Sequence, residues 1–253
     1  MYEPRTYRER MVGKGFGSFI ACVEETDIWV GIDTASFSKL NLTELTETTE
    51  SYIKSLRSVL TGYIAENTLF QTSLIPLEED PEAAVIVQEM IKAAYLAGTG
   101  PMAAVAGAFS ESIGNRLLEL FPIREIIVEN GGDIWISVKR PVRISVFAGD
   151  SPLSGKIGII IQPEDTPMGV CTSSGTVGHS LSLGRADAVT IACKNTAEAD
   201  ALATAYGNRI HTREDIDRVI EEIKERENIL SALLIYKDTA AVCGKCEVNI
   251  IHE

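Results

Sequence analysis

Four strand-like segments follow one another between residues 123 and 162: IREIIVEN, DIWISVK, VRISVFAG and KIGIIIQ. Each is rich in β-branched and aromatic residues, and the turns between them carry Gly131-Gly132, Lys139-Arg140-Pro141 and the stretch Ser151 to Gly155. A chain with this block at its centre is not the regular alternation of strand and helix that a doubly wound fold requires. The flanks fit the same picture. FGSFIACVEETDIWVGID, 16 to 33, reads as two strands with a turn near Glu24 to Asp27. Residues 41 to 66 read as a helix, with Leu45, Ile53, Leu56, Leu60 and Ile64 near helical spacing and Asn41 or Thr43 as its cap. TLFQTSLIPL, 68 to 77, reads as a strand stopped by Pro76, and Pro81 opens a helix over 81–97 that ends at Gly98. The Ala-rich stretch 102–120, with Gly107 inside it, predicts a helix packed closely against a neighbour. DAVTIAC, 187 to 193, is a further strand. Helices over 196–207 and 212–227 follow, the second charged, amphipathic and capped by Thr212, and strands over 230–236 and 242–251 finish the chain.

This order predicts an α+β fold, with helices packed against one face of a mostly antiparallel sheet. The 253 residues fit a single domain, 1–253, or two intimately joined α+β halves. With 45% hydrophobic and 23% charged residues the composition is that of an ordinary globular chain. The formal net charge of -13 makes it a poor general binder of nucleic acid, which needs clustered Lys and Arg to neutralise phosphate. An anionic ligand would have to be held by backbone N–H groups, helix N-termini or a bound cation. No apolar stretch approaches the ~18 residues of a membrane span, and no basic-flanked leader or lipobox-like Cys opens the chain, so a cytoplasmic location with no membrane partner is expected. Five cysteines at irregular spacings do not form a secreted disulfide framework.

Several pieces carry chemistry. In ENGGDI, 129 to 134, the paired glycines supply positive φ for a hairpin turn. The same glycines allow a ligand to approach the backbone, with Asn130 and Asp133 as polar contacts. In NTAEADALATAYGN, 195 to 208, Asp200 and Thr204 are four residues apart and stack on one helix face. Two hard oxygens there suit Mg²⁺, which prefers a few protein oxygens plus substrate phosphates; a solvated Asp and a back-bonding Thr are the plainer alternative. GVCTSSGTVGHS, 169 to 180, is too polar and too broken by Gly for a core strand. It reads as a loop whose hydroxyls and N–H groups cradle phosphate, or simply as a long Ser/Gly loop. His179 in it is a base, a ligand contact or a structural residue. Cys243-Gly-Lys-Cys246 is a redox pair, half of an intersubunit site, or two cysteines in a terminal hairpin. His211 and His252 read as surface residues.

In order along the chain, a Gly/Ala helix segment, N-GG-D-I, a G-V-x-T-S loop and D-A-L-A-T on a helix resemble the ApbE family, the FAD:protein FMN transferases. The likeness runs from about residue 98 to 208. It is nearest to a short, cytoplasmic, uncharacterised ApbE-like group, in which E-T-D-I-W at 25–29 and the whole T-S-S-G-T-V-G-H-S loop also match. The resemblance implies a duplicated T-fold-like α+β arrangement with FAD in a cleft. It implies FMN transfer from FAD to a protein Thr, with Mg²⁺ on the pyrophosphate. It places the metal at Asp200 and Thr204, catalysis at His179 and Asp200, and the nucleotide against Asn130, Gly131, Gly132, Asp133, Thr172, Ser173, Ser174 and Gly175. The chain departs from the transferase pattern in two places. The usual A-K-G is Val105-Ala106-Gly107 here, and H-I-I-D-P-x-T-G is replaced by His179 followed by SLSLGRAD. The same cytoplasmic group implies an alternative function, a non-transferase accessory role with a sulfur-pathway partner in anaerobic sulfide assimilation and homocysteine biosynthesis. Cys171, or Cys243 and Cys246, would then carry persulfide, which requires an accessible, activated thiolate.

Overall fold

The computed structural model describes residues 8, 15–176, 182–245 and 247–250; His179, Cys246 and His252 lie outside them. The chain opens with the hairpin β1 (Phe16–Val23) and β2 (Thr26–Asp33), whose turn is held by Arg57 through the carboxylates of Glu24 and Glu25 and the hydroxyl of Thr26. The single helical turn α1 (Thr34–Phe37) follows, then α2 (Leu42–Glu66), capped by Asn41, whose side chain accepts from the Thr43 and Glu44 N–H groups. The apolar stripe read from the sequence is the buried face: Leu45, Ile53, Leu56 and Leu60. After α3 (Leu69–Thr72) come α4 (Val85–Ala97), a 3₁₀ turn over Pro101–Ala104, and α5 (Val105–Leu120). The central block is β3 (Ile126–Asn130), β4 (Asp133–Ser137), β5 (Val142–Ser145), β6 (Ile157–Ile161), β7 (Met168–Ser173) and β8 (Ala188–Cys193). Helices α6 (Thr196–Gly207) and α7 (Arg213–Lys224) precede β9 (Ile229–Tyr236), β10 (Thr239–Gly244) and β11 (Glu247–Ile250).

Among the described residues the strands make an eight-stranded sheet, β1-β2-β3-β4-β7-β8-β9-β10, and a three-stranded sheet, β11-β6-β5, with every pairing antiparallel. Alternation along the strands sorts the core into layers. Trp135 and Val128 point into a core shared with α2, α4 and α5. Ile134, Ile136 and Met168 point the other way, onto Ile157, Ile159 and Ile161 of the small sheet. Helices α6 and α7 cover the second half of the large sheet through Leu202, Tyr206, Val219 and Ile223. This is the α+β arrangement of helices on one face of an antiparallel sheet, with a small sheet closing the opposite face.

Four expectations change. The run 68–77 is not a strand. It is one helical turn followed by a bend, in which the Ser73 hydroxyl donates to the Ile75 carbonyl and accepts from its N–H. Leu69, Leu74 and Ile75 stand 68%, 60% and 69% exposed, and only Phe70 is buried, edge-on to Tyr63 with centroids 5.2 Å apart, so the apolar run has no sheet to join. Pro81 opens a turn rather than a helix; α4 starts at Val85, and the Gln88 amide donates back to the Pro81 and Ala83 carbonyls. The terminal run 242–251 divides at Gly244, whose φ is +100° and where a Cβ would lie 2.2 Å from the Leu230 carbonyl oxygen. Its two parts pair in different sheets, so Cys243 lies near the end of β10.

The fourth concerns 169–180. Its first residues belong to β7, an interior strand between β4 and β8. Smallness is what admits it: a Cβ on Gly169 would sit 2.5 Å from the Cα of Thr196 at the start of α6. Its polarity is absorbed across the strand pair, where the Thr172 and Thr190 hydroxyls bond each other at 2.9 Å.

Candidate functional site

The hairpin joining β3 and β4 has two residues at its tip, Gly131 and Gly132, with φ of +69° and +106°. Both values require the glycines the sequence places there. The turn is tied from below: the Gly132 N–H donates to Glu129 at 2.8 Å, and the other oxygen of that carboxylate accepts from Arg8 Nε at 2.6 Å. Arg8 also reaches Asp27 at 2.6 Å, linking β2 and β3. Beyond the turn, Asp133 pairs in register with Cys171 of β7, so their side chains leave the same face of the sheet.

That face meets the ends of two helices. The Asp200 Oδ2, from the second turn of α6, accepts the Gly107 N–H in the first turn of α5 at 2.9 Å. In return Glu111, from the second turn of α5, accepts the Thr196 N–H in the first turn of α6 at 2.7 Å. Each helix therefore caps the other, satisfying N–H groups that a helix start leaves without internal partners. The contact is close: a Cβ on Gly107 would lie 2.4 Å from the Thr196 carbonyl oxygen and 2.9 Å from Asp200 Cβ. The packing expected of Gly107 is found. The mutual capping had no sequence signal, because its two carboxylates act across 85 and 93 residues of chain.

Two carboxyls are buried here, Asp133 and Asp200, 8% and 9% exposed. Burial pushes the Asp200 carboxyl up to about 7, against the pull of the Gly107 and Ala106 N–H groups. Burial also raises Asp133 well above the usual carboxylate range; the Asp200 charge adds to this, while the Cys171 thiol and the Thr172 N–H oppose it. Two carboxyls so placed repel each other when both are charged. The α5 N-terminus is occupied by the chain's own carboxylate, so it does not present a free Gly107 N–H to a phosphate.

The predicted residues divide by position. Asn130, Gly132, Asp133 and Asp200 gather around the start of α5; the Asn130 amide donates to the Ala106 carbonyl at 3.4 Å, and Gly132 lies against the Thr172 carbonyl. Thr204 is half-buried one turn along α6 from Asp200. Ser173 lies at the far end of α6, near Gly207. Ser174 bonds Thr176 locally, and the Gly175 N–H donates to the Ala186 carbonyl at 2.8 Å. Gly175, Gly184 and Gly207 stack backbone on backbone, so the glycine of this loop serves close packing.

Cys171 is fully buried, and its thiol donates to the Thr196 carbonyl at 3.4 Å. Burial, then the charges of Asp133 and Asp200, raise it well above the ordinary thiol. It is not the accessible, activated thiolate that persulfide chemistry needs. Cys243 is half-buried and also raised, chiefly by burial.

Among the described residues no group of three or more His, Cys, Asp or Glu is arranged around a common metal position. No helix among them is long and apolar enough to cross a membrane.

The family model described as AbpE bacteria matches residues 8–243. A UPF0280 protein of Methanocaldococcus jannaschii is 37% identical over 228 residues, covering 88% of each chain. One of Methanococcus maripaludis is 39% identical over 209 residues, covering 82% of this chain and 81% of its own. Among solved structures, the fold is similar to the apo flavinyl transferase ApbE of Pseudomonas stutzeri, with a TM-score of 0.52 at 15% identity over 90% of this chain and 94% of that one. It is equally similar to the ApbE protein of Thermotoga maritima, with a TM-score of 0.52 at 15% identity over 89% and 96%.

Proposed function

This chain belongs to the ApbE-like family described as AbpE bacteria, and from that premise we propose that it binds FAD or a related nucleotide with Mg²⁺ and transfers FMN to a threonine of a protein substrate. The observation that carries the reading is the buried Asp133–Asp200 pair at the start of α5. The two buried carboxyls and the Thr204 hydroxyl, one turn along α6 from Asp200, would form a hard-oxygen set. It fits Mg²⁺, which takes one or two protein carboxylates and fills its remaining positions with water and phosphate oxygens. In this reading Asp200 and Thr204 hold the ion and Asp133 stands beside them. Asp200 keeps its bond to Gly107, because a carboxylate oxygen has lone pairs for both.

When bound, Mg²⁺ supplies Lewis-acid polarisation of the phosphoryl oxygens. The chain's own residues do the rest. The ENGGDI hairpin and Thr172 flank the nucleotide, with Ser173 to Gly175 further along. The incoming threonine oxygen forms a bond to the FMN phosphorus as the bond to the AMP phosphate oxygen breaks. His179 is assigned the hydroxyl proton, and AMP leaves.

The test is equilibrium binding of FAD to the purified chain, with and without Mg²⁺, followed by chromatographic detection of AMP. Binding that requires Mg²⁺ and weakens at least about tenfold in Asp200→Asn is expected. Flavin binding that ignores both the ion and the substitution would sink the assignment. The accessory sulfur role gains nothing from the buried Cys171.

A further inference from the structure

Arg8 precedes β1 in the chain and is buried, 7% exposed, against two later strands. Its Nη1 donates to Asp27 Oδ1 at 2.6 Å and its Nη2 to the Asp27 carbonyl at 3.0 Å, at the start of β2. Its Nε donates to Glu129 Oε2 at 2.6 Å, one residue before the end of β3. The planar guanidinium fixes the directions of all three bonds, as an ammonium on a flexible stem would not. Joining β2 to β3 does not require it: the strands carry their own ladder, from Trp29 opposite Glu129 to Ile32 opposite Ile126. A buried ion pair is also a poor source of stability, because desolvation offsets the attraction. Its use is better sought in what Glu129 holds.

Glu129 carries the constraint to the tip of the β3–β4 hairpin. It is fully buried, and its Oε1 accepts the Gly132 N–H at 2.8 Å. A trans peptide is planar, so a Gly132 N–H turned down onto Glu129 turns the Gly131 carbonyl the opposite way. Gly131 is exposed, and Asn130 and Asp133 close the ladder on either side of the two glycines. Glycine reaches positive and negative φ about equally readily, so the sequence alone leaves this peptide plane free to flip. What the glycines leave open, the chain of bonds from Arg8 through Glu129 to Gly132 closes.

We infer that Arg8 is a positioning residue for the nucleotide: through Glu129 it fixes the peptide plane at the Gly131-Gly132 turn, and with it the face that ENGGDI presents to FAD. This rests on the flavin reading and deepens it. Arg8 acts from behind the turn, on the side of Glu129, and is assigned no contact with nucleotide or metal.

The experiment measures FAD affinity by calorimetry with Mg²⁺ present, and the Gly132 backbone amide resonance without ligand, on the full chain and its variants. Arg8→Gln should displace the Gly132 resonance and weaken FAD by about tenfold or more, and Arg8→Lys, which keeps the charge without the fork, should recover part of the loss. Glu129→Gln has one acceptor oxygen where Glu has two, so it holds Arg8 or Gly132 and not both, and should weaken FAD as well. In the double variant Arg8→Gln/Glu129→Gln the loss should be no greater than in Glu129→Gln alone, because Arg8 acts through that carboxyl. Arg57→Gln loosens the β1–β2 turn away from the site and should lower the melting temperature without changing FAD affinity, which separates positioning from a general loss of structure. Unchanged FAD affinity in whichever of Arg8→Gln and the double variant folds, a loss with the Gly132 resonance unmoved, or losses that simply add overturns the inference and leaves the flavin reading standing. A wild-type chain that binds no FAD sinks both.

Discussion

Asp200 is both a helix cap and half of a buried acidic pair, and the two roles pull its proton affinity in opposite directions. Burial prevails and raises the carboxyl to about 7. In the unfolded chain the same group titrates near the ordinary value of about 4. Folding therefore takes up a proton between those two values, so the stability this group contributes is full at the acid end of the window and is lost as pH rises towards 7. Thermal unfolding of the metal-free protein should show a melting temperature that falls from pH 5 to pH 8, with Asp133 steepening the fall because it is raised as well. Asp200→Asn should flatten that slope. Mg²⁺ should raise the melting temperature more at pH 8 than at pH 5, where it competes with protons. A slope that is unchanged in Asp200→Asn would assign the pH dependence to other groups.

Helices α5 and α6 depend on each other in a way that neither shows alone. Gly107→Ala forces a methyl against the Thr196 carbonyl and Asp200 Cβ, separates the two caps and should cost about 1–3 kcal/mol. Denaturant unfolding reads that loss, and FAD binding should weaken with it because Asp200 moves. Gly114 makes a parallel contact with Trp135, where a Cβ would come 2.1 Å from the ring. Trp135 is 1% exposed; Trp135→Ala should cost about 3–5 kcal/mol in the same measurement while leaving the acidic pair in place. Local signals made these elements legible: the 3.6-residue stripe on α2, the Asn41 cap and the Gly131-Gly132 turn are all where pattern and φ preference put them. What failed was decided by distant partners. LFQT and SLIPL are apolar enough for a strand, but among the described residues no strand pairs with them. MGVCTS looks too polar for one, yet Thr190 and the start of α6 complete it. Asp200 and Thr204 were legible as a helix face. The carboxyl beside them, Asp133, was legible only as part of a turn, since its pairing with Cys171 is set by sheet register. Glu111, which holds the whole arrangement from the other side, gave no local sign.

At the scale of the whole molecule, the large sheet is built from both ends of the chain and the helices lie on one of its faces, with the acidic pair near the middle where β4 meets β7. The small sheet on the opposite face is closed by β11, which pairs with β6 from Glu247 opposite Ile160 to Ile250 opposite Ile157. A chain ending at Gly244 keeps the whole large sheet but leaves one side of β6, IGIII, without its neighbour. Such a short, uncharged, β-branched edge is a template for strand addition. The truncated protein should form oligomers and precipitate on size-exclusion chromatography while the full chain does not; a monodisperse truncated form would show that β11 is dispensable. The same feature bears on synthesis. The ribosome delivers β11 long after β6, so during translation this uncharged edge stands without its outer partner until the last strand emerges. Production of this protein should therefore be sensitive to crowding among nascent chains and to the supply of chaperones that shield exposed strands.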